Sequence, residues 1–335
     1  MKYPSVLLAL LLWAVFAAPS AQSQTPSSDT TFVTLARGTG LTIGAFVQSD
    51  ARWGRDDATD GFSVRRARLR LSGTVRGARV FVQTDFAKAP ALIDARIRIP
   101  LARRLSVAGG VYKAPFSQEV LRSASDLLFL DRAQVVRSIA PQREIGLSAR
   151  FDIVPDRLQL DAGLFNGNGN GLQPNDNNRF LYVARLSGQA PLAGGTLRYG
   201  GDIGYSEDDA VDLGRAAESF AGTRLLIGAN AGITHGRWLL EGELVAAQLD
   251  ADDGPTTDPY GFYVAGGAFI ADRHQLMLRY ETLDPDRPAL DSQDEATIGY
   301  NFFWTDALKL QANYIAPTAD LTDGHVGLRL QIALK

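Results

Sequence analysis

Arg66, Arg68 and Arg70 stand at every second position of FSVRRARLRLSGTV. Each carries a planar guanidinium that can hold an oxyanion through charge-assisted hydrogen bonds. That is binding chemistry, and the residue types needed for bond making are sparse. The chain has no cysteine, and its three histidines, His235, His274 and His325, fall in or beside turns with no serine constellation around them. NGNGNG at 166–171 lacks the Gly-Lys-Ser/Thr ending and the following helix of a phosphate loop, so it reads as a flexible loop. LDADDGPTTD misses the calcium-loop register because its glycine comes too early. Neither an enzyme nor a cofactor is expected.

The elements that position the arginines follow from period two. Ala67, Leu69, Leu71, Gly73 and Val75 alternate with Arg66, Arg68, Arg70, Ser72 and Thr74, which makes a β-strand with one apolar and one basic face. In a soluble sandwich the basic face meets bulk water. In a membrane barrel the apolar face meets lipid and the arginines line a water-filled lumen.

The remainder of the chain favours the barrel. The opening MKYPSVLLALLLWAVFAAPSAQSQ has one lysine, a short apolar run and small residues near Ala21, which is the pattern of a secretory signal peptide over 1–23. A polar linker is expected over 24–38 and a single barrel domain over 39–335. No later stretch is long and apolar enough for a helical span. The formal charge of -3 excludes a broadly basic nucleic-acid binder.

From residue 41 onward, sixteen short alternating runs can be counted, an even number as in bacterial outer-membrane barrels. In the fourth run Ile93, Ala95, Ile97 and Ile99 face out while Asp94, Arg96 and Arg98 face in, and Pro100 ends it. Long connections alternate with short turns, the third connection being the exception, as expected of outer loops and periplasmic turns. Trp238 and Trp304 flank short turns, whereas Tyr205, Tyr260, Phe262 and Tyr314 flank long loops, giving two interfacial belts. The connection 113–142 contains Phe116, Leu121, Leu127, Leu128 and Phe129 and is too long and apolar for an exposed loop. It folds into the lumen as a constriction, or else packs on a neighbouring subunit.

For the arginines, pore lining competes with ion pairing. If Arg76-Gly77 is the turn, Arg68 lies opposite Asp85 and Arg70 opposite Gln83, near Arg96. Arg70 and Arg96 are then the candidates for unneutralised charge. Asp85, Asp94, Asp161, Glu241 and Glu243 also face inward, so the wall opposite the arginines is expected to be acidic, with a transverse field across the pore. The aspartate-rich outer loops read as solvated, with divalent cations shared with lipopolysaccharide as a second possibility.

The sequence resembles the phosphate-selective porins O and P of Gram-negative outer membranes. The resemblance is carried by VRRARLRLSGTV, GGVYKAPFSQEVLRSASDLLFLDRA, APQREIGL, AGLFNGNGNG and LRYETLD. It implies a sixteen-stranded barrel, usually trimeric, whose third outer loop enters the lumen and whose basic ladder draws anions through. Two features depart from that pattern. The chain ends in Leu334-Lys335 instead of an aromatic residue, and the constriction loop offers only Lys113, with Arg122, Arg132 and Arg137 further on, where the family is lysine-rich.

The expectation is therefore an all-β, transmembrane antiparallel β-barrel of about sixteen strands with an inward-folded constriction loop, located in the bacterial outer membrane. It gives passive diffusion to small polar solutes, anions such as phosphate among them. Arg66, Arg68, Arg70, Arg96, Arg98, Lys113 and Arg150 are the pore-lining, anion-binding residues, and no metal site is expected. Outer-membrane lipid, lipopolysaccharide and two further copies of the chain are the expected partners. A non-selective porin and a barrel plugged by its own loop are the alternatives.

Overall fold

The computed structural model describes residues 32–36, 39–54, 59–169, 172–288 and 290–334. The expected signal peptide and Lys335 lie outside them. The strands are β1 (Phe32–Ala36), β2 (Thr39–Trp53), β3 (Gly61–Val75), β4 (Ala78–Asp85), β5 (Leu92–Ala102), β6 (Leu105–Lys113), β7 (Arg143–Val154), β8 (Leu158–Phe165) and β9 (Leu181–Leu192). They continue as β10 (Gly195–Val211), β11 (Phe220–His235), β12 (Trp238–Ala251), β13 (Tyr260–Ala271), β14 (His274–Asp284), β15 (Gln293–Phe303), β16 (Leu308–Pro317) and β17 (His325–Leu334). From β2 to β17 every strand pairs antiparallel with its sequence neighbours, and β17 pairs back onto β2, so a sixteen-strand barrel closes. Closure leaves no free edge, the condition for crossing a bilayer with strands.

Two strand ends depart from expectation. Pro100 does not end β5, which runs on to Ala102 with Pro100 opposite Ser106 beside a register shift, where a missing N–H is tolerated. The acidic SEDDAV extends β10 to seventeen residues. About nine to eleven residues span the hydrocarbon, so the surplus projects into water, where acidic side chains carry no cost. Within the stretch read as linker, FVTLA forms β1 and pairs with the start of β2, as its β-branched and aromatic residues favour.

The arginine strand keeps the derived register. Arg76 and Gly77 both adopt positive φ, the requirement of a two-residue hairpin turn, and Arg68 pairs with Asp85 and Arg70 with Gln83. At the opposite end a bulge intervenes, because Gln48 pairs with Arg66 but Ser49 pairs with Val64. The skipped residue is Arg65, which reaches Asp131 inside the barrel at 3.5 Å. An inserted residue re-aims the strand, so two consecutive arginines serve the lumen.

Leu147, Ile203, Ile227, Leu240, Leu278, Ile298 and Leu330 are exposed on the outer surface, with Trp238 and Trp304 beside short turns and Tyr260 beside a long connection, whereas Tyr205 stands within β10 because SEDDAV continues the strand. The seam is held from within. Arg329 on β17, with no exposed side-chain surface, binds both Asp50 carboxylate oxygens on β2 at 2.7 Å and the Leu130 carbonyl at 2.6 Å. Asp50→Asn leaves that guanidinium buried without its counter-charge, so the barrel is expected to lose about 3–5 kcal/mol. Urea unfolding of the refolded protein in detergent, read by tryptophan fluorescence, measures the loss; an unchanged midpoint would contradict the seam's dependence on this pair.

Candidate functional site: a loop-narrowed basic lumen

The connection 114–142 lies inside the barrel and is buried along most of its length, with Phe116, Val120, Leu127, Phe129, Leu130, Val135, Val136 and Ile139 almost inaccessible. It contains a helical turn at Gln118–Leu121, a 3-10 turn at Ala124–Asp126 and a second helical turn at Gln134–Ser138. Four inward glycines shape its seat. A Cβ on Gly261 or Gly327 would stand 2.9 Å from Val135 or 2.6 Å from Leu130, and on Gly299 or Gly228 3.0 or 3.3 Å from Phe129 or Phe116. Each missing side chain on β11, β13, β15 and β17 leaves the hollow that an apolar loop residue occupies.

Polar anchors fix the loop against the same wall. Glu243 accepts the backbone N–H groups of Gln118 and Glu119 at 2.9 and 3.1 Å, satisfying donors at the start of the helical turn. Glu241 takes Arg122 in a two-point pair at 2.7 and 2.6 Å. Glu281 accepts the Gln134 N–H at 3.3 Å, and Glu119 accepts the Ala133 N–H at 2.9 Å. Lys309 and Gln311 donate to the Leu127 carbonyl at 3.0 and 3.2 Å. The acidic wall expected to face the pore is therefore covered by the loop, and its carboxylates are occupied by loop donors.

The other inward acids are also engaged. Asp85 binds Arg68 at 2.8 Å, Asp94 binds Arg143 at 3.0 Å, and Asp161 binds Arg150 at 2.8 Å. Of the arginines singled out in the sequence, Arg66 and Arg68 face inward but are only 6% and 8% exposed, so they present little surface to open water. Arg70 donates to Ser123 Oγ at 3.3 Å and lies 5.4 Å from the centre of the Phe46 ring. Gln83 bridges from the other side, its amide oxygen 2.7 Å from Arg70 Nε and its nitrogen 2.8 Å from Asp94.

Arg96 rests between the rings of Phe81 and Tyr112 at 5.9 and 5.6 Å, a placement that steadies the cation without neutralising it. Arg98 donates to Ser106 Oγ at 3.1 Å. Lys113 donates to the Arg122 and Leu121 carbonyls at 2.8 and 3.4 Å, so it helps hold the loop. Arg96, Arg98, Lys113, Arg150, Arg185 and Arg198 converge on a 600 Å³ cavity between the loop and the 155–157 turn. Among the described residues no cluster of histidines and carboxylates is disposed to hold a metal.

A family model for phosphate-selective porin O and P matches residues 38–329. The chain belongs to that family. It is an outer-membrane porin, a channel-forming barrel of the bacterial outer membrane. No curated protein matches its sequence. Solved structures share the architecture at low identity. The anion-selective porin from Comamonas acidovorans superposes with a TM-score of 0.65 at 14% identity, covering 88% of this chain and 99% of that one. In vitro folded OmpT of Vibrio cholerae in its trimer form gives 0.61 at 12%, with 88% and 99% covered. Salmonella typhi OmpF, in complex with daunomycin, gives 0.63 at 9%, with 90% and 100% covered.

Several residues of this porin's lumen escape a reading by alternation. Arg65 is visible only as the first arginine of a doublet that breaks period two. Arg122 and Gln48 act through partners far away in sequence, and Arg132 acts within the loop by donating to the carbonyls of Glu119, Val120 and Arg122. Within the stretch read as a flexible loop, the backbone N–H groups of Gly167 and Gly169 bond the buried Glu144 carboxylate.

Removing Arg122 leaves Glu241 without its partner. Because Arg122 is partly exposed, Arg122→Ala is expected to weaken loop seating by about 2 kcal/mol, seen as greater single-channel current noise and faster tryptic cleavage at Arg132 or Arg137. The loop's Asp131 predicts a pH response. Burial alone would raise its pKa, but the charges of Arg52, Arg137 and Arg65 outweigh burial and hold the carboxyl well below the usual range. Its contribution is complete above the ordinary carboxylate pKa and is lost only as pH falls through the depressed value. Current noise arising at this anchor is therefore expected to stay flat on acidification to about pH 4, and Asp131→Asn to be noisy throughout.

Proposed function

We propose that the porin passes small anions, phosphate among them, in preference to cations, and that Arg70, Arg96 and Arg98 carry the preference. One observation supports this above others: every carboxylate expected to balance the ladder is engaged, while among the described residues none of these three arginines makes an ion pair. An ion entering a narrow lumen gives up part of its hydration, and fixed charge with N–H donors compensates an anion but repels a cation. The guanidinium fork suits an oxyanion through paired hydrogen bonds, which would let phosphate compete with chloride on the same path. Arg150 contributes less, being shared with Asp161, and Arg66, Arg68 and Lys113 act mainly by shaping the wall and loop.

The trimer follows from the outer surface. Strands β9–β16 and their turns expose Tyr182, Tyr199, Tyr205, Trp238, Tyr260, Tyr280 and Trp304, whereas β2–β8 expose aliphatic residues with Phe62 and Phe151 and, among the described residues, no tyrosine or tryptophan. Tyrosine and tryptophan mark surfaces that meet lipid headgroups. The face of β2–β8, without such residues, is then the one turned toward two further copies, and β9–β16 the one turned to lipid and lipopolysaccharide. The barrel domain over 39–335 acts as one unit, preceded by a leader over 1–23 and by the stretch 24–38, of which Phe32–Ala36 joins the sheet as β1.

Reversal potentials in a potassium chloride gradient across planar bilayers test the preference. The wild type is expected to be anion-selective with current reduced by added phosphate, and Arg96→Gln combined with Arg98→Gln to shift the reversal potential toward zero. A wild-type potential near zero would make the channel non-selective, an anion-selective potential unchanged in the double variant would take the preference away from Arg96 and Arg98, and absence of conductance would make the barrel a plugged one.

A further inference from the structure

Arg66 differs from the arginines that guard the open lumen. It is 6% exposed, its one polar contact among the described residues is donation from Nη1 to Gln48 Oε1 at 2.5 Å, and its Nε–H finds no acceptor there. Three acids of the adjoining strands and loop serve other cations: Asp85 binds Arg68, Asp131 binds Arg52 and Arg65, and Asp50 binds Arg329 and Arg52. The charges that reach Arg66 most strongly belong to Arg65, Arg68, Arg329 and Arg132, all of them positive. A fifth cation, Lys88 in the connection between β4 and β5, feels Arg65, Arg66 and Arg68 in turn; burial first and then those charges push its ammonium pKa down.

A guanidinium does not shed its proton to escape such a setting. Buried charges are paired, and among the described residues no carboxylate pairs with Arg66. We infer that Arg66 holds a resident small anion of halide size at its free Nε–H, with Arg65, Arg68 and Lys88 supplying the surrounding positive field. A single covered donor in such a field suits a spherical ion, whereas a tetrahedral oxyanion needs several converging donors.

The anion is tied to the constriction through Gln48. Gln48 is fully buried, accepts from Arg66 and donates to Gln331 Oε1 at 2.7 Å and to the Ala124 carbonyl at 3.3 Å. Without the anion, Arg66 is repelled by Arg65 and Arg132, and the displacement passes through Gln48 to the 3-10 turn of the loop. The anion is thus a structural counter-ion of the loop seat, distinct from ions in transit.

The test uses the full-length barrel refolded in detergent, with the temperature of unfolding read by the mobility shift on unheated gels. Chloride, bromide, phosphate and gluconate are compared at equal ionic strength. Chloride and bromide are expected to raise the wild-type midpoint by about 3 °C or more over gluconate, which is too large to enter. Arg66→Gln keeps a donor for Gln48 and removes the charge, so it is expected to lose this difference, whereas Arg76→Gln at an exposed turn keeps it. Equal halide stabilisation of wild type and Arg66→Gln would overturn the site, and greater stabilisation by phosphate than by halide would overturn the halide assignment. Should Arg66→Gln fail to fold, anomalous scattering from bromide-soaked wild-type crystals decides: a peak within hydrogen-bond distance of Arg66 Nε supports the site, and its absence overturns it. No current is measured, so failure here leaves the selectivity proposal untouched.

Discussion

The carboxylate of Glu243 is where wall and loop become one structure. It faces inward from β12, where it would be an unpaired buried charge, and the helical turn at Gln118–Leu121 presents two backbone N–H groups that have no partner of their own. Each half alone is unfavourable, and together they are satisfied. Glu241 with Arg122 and Glu281 with Gln134 repeat the arrangement along the same wall. The loop therefore lies where the barrel's acids are, and the open lumen is left to the basic side.

This division of the lumen is the ground of the proposed anion preference. A transverse field needs exposed charge of both signs, but a carboxylate taken up by loop donors contributes little to water a few ångströms away. What remains open is a wall on which Arg70, Arg96 and Arg98 are steadied by Phe46, Phe81, Tyr112, Ser106 and Ser123 rather than cancelled by acids. Aromatic faces and hydroxyls orient a guanidinium while leaving its charge available. Position without neutralisation is the physical basis of an electrostatic filter.

The seam shows how closely loop and closure are linked. Arg329 binds Asp50 across the junction of last and first barrel strands and also takes the Leu130 carbonyl, so one buried side chain ties β17, β2 and the loop together. Gln48 and Gln331 extend the tie one layer along, to the carbonyls of Ala124 and Ser125. Closing the barrel and seating the loop draw on the same hydrogen bonds, and the hollows at Gly261, Gly299 and Gly327 admit Val135, Phe129 and Leu130 where those bonds place them.

Period-two alternation determined the sixteen strands, the inward direction of the arginines and the pairing of Arg68 with Asp85, because side-chain direction in a strand is local and a two-residue turn sets register without outside help. The family was legible too, since its motifs are contiguous segments. Tertiary structure alone decided which charges remain free. Glu241 and Glu243 looked like pore acids because their partners, Arg122 and the backbone of Gln118 and Glu119, lie more than a hundred residues away in a loop with no periodic signal. Arg65 escaped notice because a bulge breaks the alternation that revealed its neighbours, and Arg66 reads as a lumen arginine by period although its surroundings bury it. Alternation states which way a side chain points; whether it meets water, a carboxylate or another cation depends on chain segments brought there only by folding.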